Sequence, residues 1–182
     1  MMNEELVKFV YLHNTKIMSR KILVLLVLIT VFFAACKKET NHSASVCPLL
    51  SADDYLVFGT YYGFCAGNCT SLYKLTTTEI YEDDINYFEK EKDVVFRSQP
   101  LGSSKLSLAA ELCRSFPFDS IISEKETIGC PDCHDQGVVY VELKKNGLVR
   151  KWFIDPDANQ NDVPAYLKSY VKLVKTTVEK LK

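Results

Sequence analysis

Twelve uncharged residues, Ile22 to Phe33, run Ile-Leu-Val-Leu-Leu-Val-Leu-Ile-Thr-Val-Phe-Phe and stop at Ala34-Ala35-Cys36. Ser19, Arg20 and Lys21 precede them, and polar Lys37-Lys38-Glu39-Thr40-Asn41 follows. A basic start, a short apolar centre and a small-residue cleavage site are the three parts of an export signal. The run is shorter than the ~17–25 residues of a membrane-spanning helix, so the sequence predicts removal and not a span. This limits what can fold: residues 1–35 are leader, and the structured part lies beyond them. Met18-Ser19-Arg20-Lys21 is already a complete basic start, which makes Met18 an alternative first residue and 1–17 upstream sequence.

Phe33-Ala34-Ala35-Cys36 resembles a bacterial lipobox, with Phe33 where that motif more often has Leu. The resemblance implies a diacylglyceryl lipid, with palmitate-type chains, on the Cys36 sulfur and cleavage just before it. Apart from this covalent lipid, no cofactor is expected. The expected location is the bacterial cell envelope, on the outer membrane in preference to the inner, facing the periplasm or the exterior. The lipid anchor would then be the contact with the membrane.

The whole chain has 182 residues, with 22 Lys plus Arg against 23 Asp plus Glu. Cleavage leaves 147 residues (182 minus 35) and removes Lys8, Lys16, Arg20, Lys21, Glu4 and Glu5. The mature chain then carries 18 basic (22 minus 4) and 21 acidic groups (23 minus 2), a formal charge of −3. A near-neutral balance lacks the clustered basic surface that nucleic-acid binding needs. Hydrophobic residues make up 47%, enough for an ordinary packed core.

Residues 36–50 read as a lipidated flexible tether and 51–182 as one domain. Tyr55 to Tyr62 is aromatic and β-branched, so a strand is predicted there. Ser71 to Tyr81 resumes strand chemistry after the Gly63, Gly67 and Asn68 turn signals. Val94 to Arg97 reads as a third short strand. Lys105 to Ser115 reads as a helix capped by Ser103 or Ser104 and stopped by Pro117. Phe116, Phe118, Ile121 and Ile122 are predicted to fill the core. Asn146-Gly147 between two apolar runs is a strong hairpin signal. Val163 to Leu181 places Leu167, Tyr170, Val171, Val174, Val178 and Leu181 at helical spacing, with Pro164 in the first turn. The order predicts an α+β fold: a mostly antiparallel sheet of two hairpins plus a short strand, with two helices on one face.

Cys47, Cys65, Cys69, Cys113, Cys130 and Cys133 remain once Cys36 is lipidated. Outside the cytosol, an even count predicts disulfides, in any of fifteen connectivities. A bridge between the Cys65/Cys69 and Cys130/Cys133 clusters would staple the two hairpins, stabilising by roughly 2–4 kcal/mol. The rival is a zinc site of Cys65, Cys69, Cys130 and Cys133, with His134 as substitute ligand. A third reading makes Cys130-Pro131-Asp132-Cys133 a redox pair, although a strand and not a helix follows it.

Asp132, His134 and Asp135 crowd one loop and permit a hydrolase or thiol–disulfide enzyme using Cys130 to Asp135, but no nucleophile motif accompanies them. Asp155, Asp157 and Asn159 resemble the front of a calcium loop, without the Gly and Glu that complete one. The alternative is a polar turn in which Asn161 or Asp162 caps the last helix. Tyr55, Phe58, Tyr61, Tyr62, Phe64 and Tyr73 crowd the first hairpin, and alternation would bury about half of them as core.

Gly63 to Leu75, with its Cys-Ala-Gly-Asn-Cys turn and a following strand Tyr73, resembles uncharacterised bacterial lipoprotein domains with a Cys-x-Gly-x-Cys turn. Gly129 to Gly137 is similar to their Pro-Asp-Cys-x-Asp-x-Gly segment, and the likeness spans roughly Leu56 to Leu181. It implies a fold type and a structural role for Cys65, Cys69 and Cys133. The function expected is non-enzymatic: binding an envelope protein, peptide or glycan, or serving as an accessory module.

Overall fold

Among the described residues six strands form a single sheet, in the spatial order β3 (Ile80–Glu82), β2 (Thr70–Leu75), β1 (Tyr55–Tyr61), β5 (Val138–Lys145), β6 (Leu148–Ile154) and β4 (Thr127–Ile128). The computed structural model describes residues 46–157 and 162–182. Residues 1–45, which include the expected leader and Cys36, lie outside them, as do residues 158–161, which include Asn159. No described helix is long and apolar enough to cross a membrane.

β1 (Tyr55–Tyr61) is central, antiparallel to both β2 (Thr70–Leu75) and β5 (Val138–Lys145). β3 (Ile80–Glu82) extends the sheet beyond β2, and β6 (Leu148–Ile154) beyond β5. Residues 138–143 are buried without a break because this strand is covered on both sides. Leu56, Phe58, Val141, Leu143 and Trp152 face a helix layer made by α1 (Ser103–Arg114) and α3 (Ala165–Leu181). Val57, Leu72, Val138, Tyr140 and Phe153 face the other way, under Ile85, Phe88, Val94 and Phe96. One face therefore packs on helices and the other on an irregular segment.

The α+β class, the largely antiparallel sheet and the helices packed against it are as predicted. Details differ. The strand expected over 71–81 breaks at Thr76, whose hydroxyl accepts the Glu79 N–H at 3.0 Å and turns the chain into β3. Val94 to Arg97 forms no strand; its ladder is one bridge, Asp83 to Phe96. β4 (Thr127–Ile128) was not anticipated, because two residues carry no periodicity, and it pairs parallel to β6. A third helix, α2 (Phe118–Ile121), is a single turn that buries Ile121. Gly102, not a serine, caps α1, and Pro164 rather than Asn161 or Asp162 precedes α3; neither cap has a side-chain hydrogen bond. The Asn146-Gly147 turn is present, with φ of 53° and 80°, the left-handed pair such a two-residue turn requires.

The tether boundary at residue 50 falls too late. Cys47 and Leu50 are buried in the helix-side core, and Cys47 is bonded to Cys113 of α1. Asp54 accepts the backbone N–H groups of Ser51 and Asn146, which holds its carboxyl below the ordinary range and ties this lead segment to the β5–β6 turn.

The three bridges are Cys47–Cys113, Cys65–Cys69 and Cys130–Cys133, spanning 66, 4 and 3 residues of sequence. The expected bridge between the two clusters is absent, because each cluster closes on itself. Loop-closure entropy ranks them: the long bridge is worth roughly 4 kcal/mol, each short one about 2 kcal/mol. Replacing Cys47 and Cys113 together by Ala should lower the urea midpoint more than removing either short bridge. Equal losses from all three pairs would contradict this ranking.

Candidate functional site

Tyr61 pairs with Val138, so the loop leaving β1 and the loop entering β5 emerge side by side at one end of the sheet. Each is closed by its own disulfide. The Cα atoms of Cys65 and Cys69 are 5.8 Å apart, and those of Cys130 and Cys133 5.6 Å. Both separations lie in the roughly 4.4–6.8 Å span that disulfides use.

Asp132 does the work first assigned to an inter-cluster bridge. Its Oδ2 accepts the Gly63 N–H and its Oδ1 accepts the Gly137 N–H, both at 3.0 Å. Its own N–H donates to the Gly137 carbonyl. One carboxylate thus joins both loops. The geometry needs a left-handed backbone at Asp132 (φ 60°), which Asp tolerates better than most residues. It also needs Gly137, with φ 80°, where a Cβ would fall 2.7 Å from the Tyr62 ring.

Further bonds fix the platform from below. Asp155 is buried; its carboxylate accepts the N–H groups of Cys130 and Asp157. Gln136 accepts the His134 N–H and donates to the Cys130 carbonyl. Under the first loop, buried Asp83 accepts the Leu72 N–H and the Thr70 hydroxyl, and the Cys69 N–H donates to Asn86. Tyr61 lies between the loops and the second core cluster. Burial, with the Asp132 charge adding to it, pushes its hydroxyl up to about 12.

The sequence candidates now sort themselves. Cys65, Cys69, Cys130 and Cys133 form two disulfides, not a four-thiolate set. Among the described residues, no three His, Cys, Asp or Glu side chains gather as a metal site. Asp155, offered as a calcium ligand, is engaged with two backbone donors, and Asn159 lies outside the described residues. The Cys130–Cys133 sulfurs sit at no helix N-terminus, the position that favours a reactive thiolate. His134 and Asp135 are exposed at the loop tip.

The aromatic cluster divides by position: Tyr62 and Phe64 share the parity of Phe58 but lie past the end of β1. Phe58 and Tyr73 are buried, whereas Tyr62 and Phe64 are 43% and 89% exposed. Phe64 stacks on no other ring among the described residues, although the adjoining disulfide and Asp132 hold its loop. What this end of the molecule can do is present an apolar ring on a rigid support.

A second concavity of about 520 Å³ opens on the sheet face away from the helices. Glu142 lies in its floor, only 8% exposed. Its Oε1 accepts the Tyr55 hydroxyl at 2.8 Å, its Oε2 accepts the Tyr140 hydroxyl, and Lys151 Nζ stands 3.7 Å away. Burial and these bonds raise both tyrosines well above their ordinary pKa. No motif in the sequence marks Glu142. The available signal was a carboxylate inside the apolar run Val138 to Leu143, which requires partners.

The chain matches no protein-family model and no curated protein. Asp132→Ala should speed amide exchange at both Gly63 and Gly137 and cost about 1 kcal/mol, since the Gly137 N–H is buried whereas that of exposed Gly63 can turn to water. Undiminished protection at both glycines would show that the disulfides alone order the loops.

Proposed function

We propose that the chain is an exported lipoprotein, held to the bacterial envelope through Cys36. Its folded domain binds a protein or glycan partner instead of performing chemistry. The outer membrane, with the domain facing the periplasm or exterior, is the location this reading assigns.

Two lines support it. The six cysteines of residues 46–182 pair as three disulfides, an arrangement that persists outside the reducing cytosol. The seventh, Cys36, stands where the leader resembles a lipobox. The observation that carries the binding role is Phe64. A ring 89% exposed is poorly accounted for by folding, and this one sits on a loop made rigid at the cost of a disulfide and a shared carboxylate. Rigid aromatic anchors lose little entropy on binding, which makes them effective contact residues.

Two measurements test this. Cells fed labelled palmitate should label the wild-type chain and not Cys36→Ala; label on the variant, or none on either, contradicts the anchor. Phe64→Ala should leave stability within about 0.5 kcal/mol of wild type, as an exposed side chain does. A photoreactive residue at position 64 in living cells should give a discrete adduct that one at Glu179, exposed on α3, does not. Identical patterns at the two positions would remove the binding role of the tip.

A further inference from the structure

β6 is a sheet edge for most of its length. β4 covers only Phe153 and Ile154, through the Phe153 N–H to Glu126 and the Asp155 N–H to Ile128. Strand groups alternate sides, so the N–H and C=O of Val149 and Lys151 point outward along the same line. Among the described residues, no backbone group pairs with them. The adjacent side chains are exposed and apolar, with Leu148 at 74% and Val149 at 45%.

The two flanks of this edge differ. On the helix side, a groove of about 560 Å³ is lined by Phe118, Ile122, Leu143 and Leu148, together with Lys145 and Asn146 beside the turn. Arg150 spans that flank, donating to the Ile122 and Glu124 carbonyls. On the opposite side, Lys151 and Lys144 border the Glu142 cleft, with Lys74 across it. Three ammonium groups there face Glu142 and Asp93, and the Glu142 oxygens already accept two tyrosine hydroxyls. Lys74 and Lys144 have no carboxylate within 4.0 Å among the described residues; Lys74 lies over the Tyr55 ring at 4.8 Å.

We propose that the outer edge of β6 at Val149 and Lys151 takes an extended peptide as an added strand, one with apolar residues alternating with acidic ones. This site goes beyond the Phe64 reading, since Val149 pairs with Lys144 at the end of β5 opposite to Val138. The backbone groups specify an extended chain, since a strand satisfies outward N–H and C=O groups in register. Alternation sends every second side chain of that peptide to each flank. One set meets the apolar groove and the other meets the lysines. Charge selects the occupant. Glu126 also lines the space outside Val149, Arg150 and Lys151, but Lys90 holds its carboxylate at 3.3 Å. A second copy would therefore bring Arg150 and Lys151 against the same two cations, and lysine on an edge ordinarily blocks such self-pairing. The chain's own Lys37-Lys38 segment is basic as well.

The test uses the full chain purified in detergent, with an alternating Glu-Val peptide of about eight residues, a strand's length. A Lys-Val peptide of equal length is the control. Fluorescence anisotropy should show the acidic peptide binding about tenfold more tightly, the scale of a few exposed ion pairs, and weakening with salt. Amide exchange should slow at Val149 and Lys151. Val149→Pro removes an outward donor and leaves the even-numbered residues that bond to β5, so it should abolish binding with folding retained. Lys151→Glu, which keeps the backbone, should reverse the preference. Equal binding of both peptides, unchanged exchange at the edge, or full binding by a folded Val149→Pro variant would overturn the proposal. So would a dimer in sedimentation that Val149→Pro dissolves, which would assign the edge to a second copy. None of these outcomes touches the palmitate label on Cys36 or the adducts formed at position 64, so the envelope reading stands or falls separately.

Discussion

The Cys47–Cys113 bridge is the constraint on which the arrangement of this domain depends. It fixes a segment with no secondary structure of its own to the α1 face, inside the core that α1, α3 and the sheet share. That segment then reaches Asp54, which holds the β5–β6 turn, and Lys145 returns a bond to the Leu49 carbonyl. A chain tethered at Cys36 would enter its fold at this point. Under the anchoring proposed at Cys36, this cross-link would lie at the end of the domain on which the anchor pulls.

The opposite strategy governs the loop end. There the disulfides close very short loops, and the long-range connection is made by one carboxylate. Asp132 reaches 69 residues back to Gly63, and Gly137 accommodates it by having no side chain to strike Tyr62. A single-residue join can hold two loops because each is already rigid, so few degrees of freedom remain to be fixed. The outcome is a firm platform carrying Phe64. Glu142 plays a similar part on the loop-covered face, where it orders Tyr55 and Tyr140 beside the β6 edge.

Strong local signals in the sequence carried through to the structure. The Asn146-Gly147 turn, the apolar stripe of α3 and the strand at Tyr55–Tyr61 follow from period and turn chemistry. Features set by long-range partners did not show. β4 exists only because β6 offers Phe153 and Ile154 an edge, and its two residues have no pattern of their own. The division of 71–81 into two strands turned on the Thr76 hydroxyl, which is chemically indistinct from its Thr77 and Thr78 neighbours. Pairing of the cysteines was open among fifteen choices. The Cys130–Cys133 closure runs through a left-handed backbone at Asp132, and Cys47–Cys113 through a contact 66 residues apart, neither of which composition encodes.

All six cysteine sulfurs of the described residues are consumed as cross-links in one particular connectivity. Digestion of the unreduced protein after alkylation of any free thiols reads this directly by mass. The predicted result is three linked fragment pairs, Cys47 with Cys113, Cys65 with Cys69, and Cys130 with Cys133, and no alkylated cysteine among the six. Fragments joining the Cys65/Cys69 loop to the Cys130/Cys133 loop, or alkylation of those four sulfurs, would contradict it.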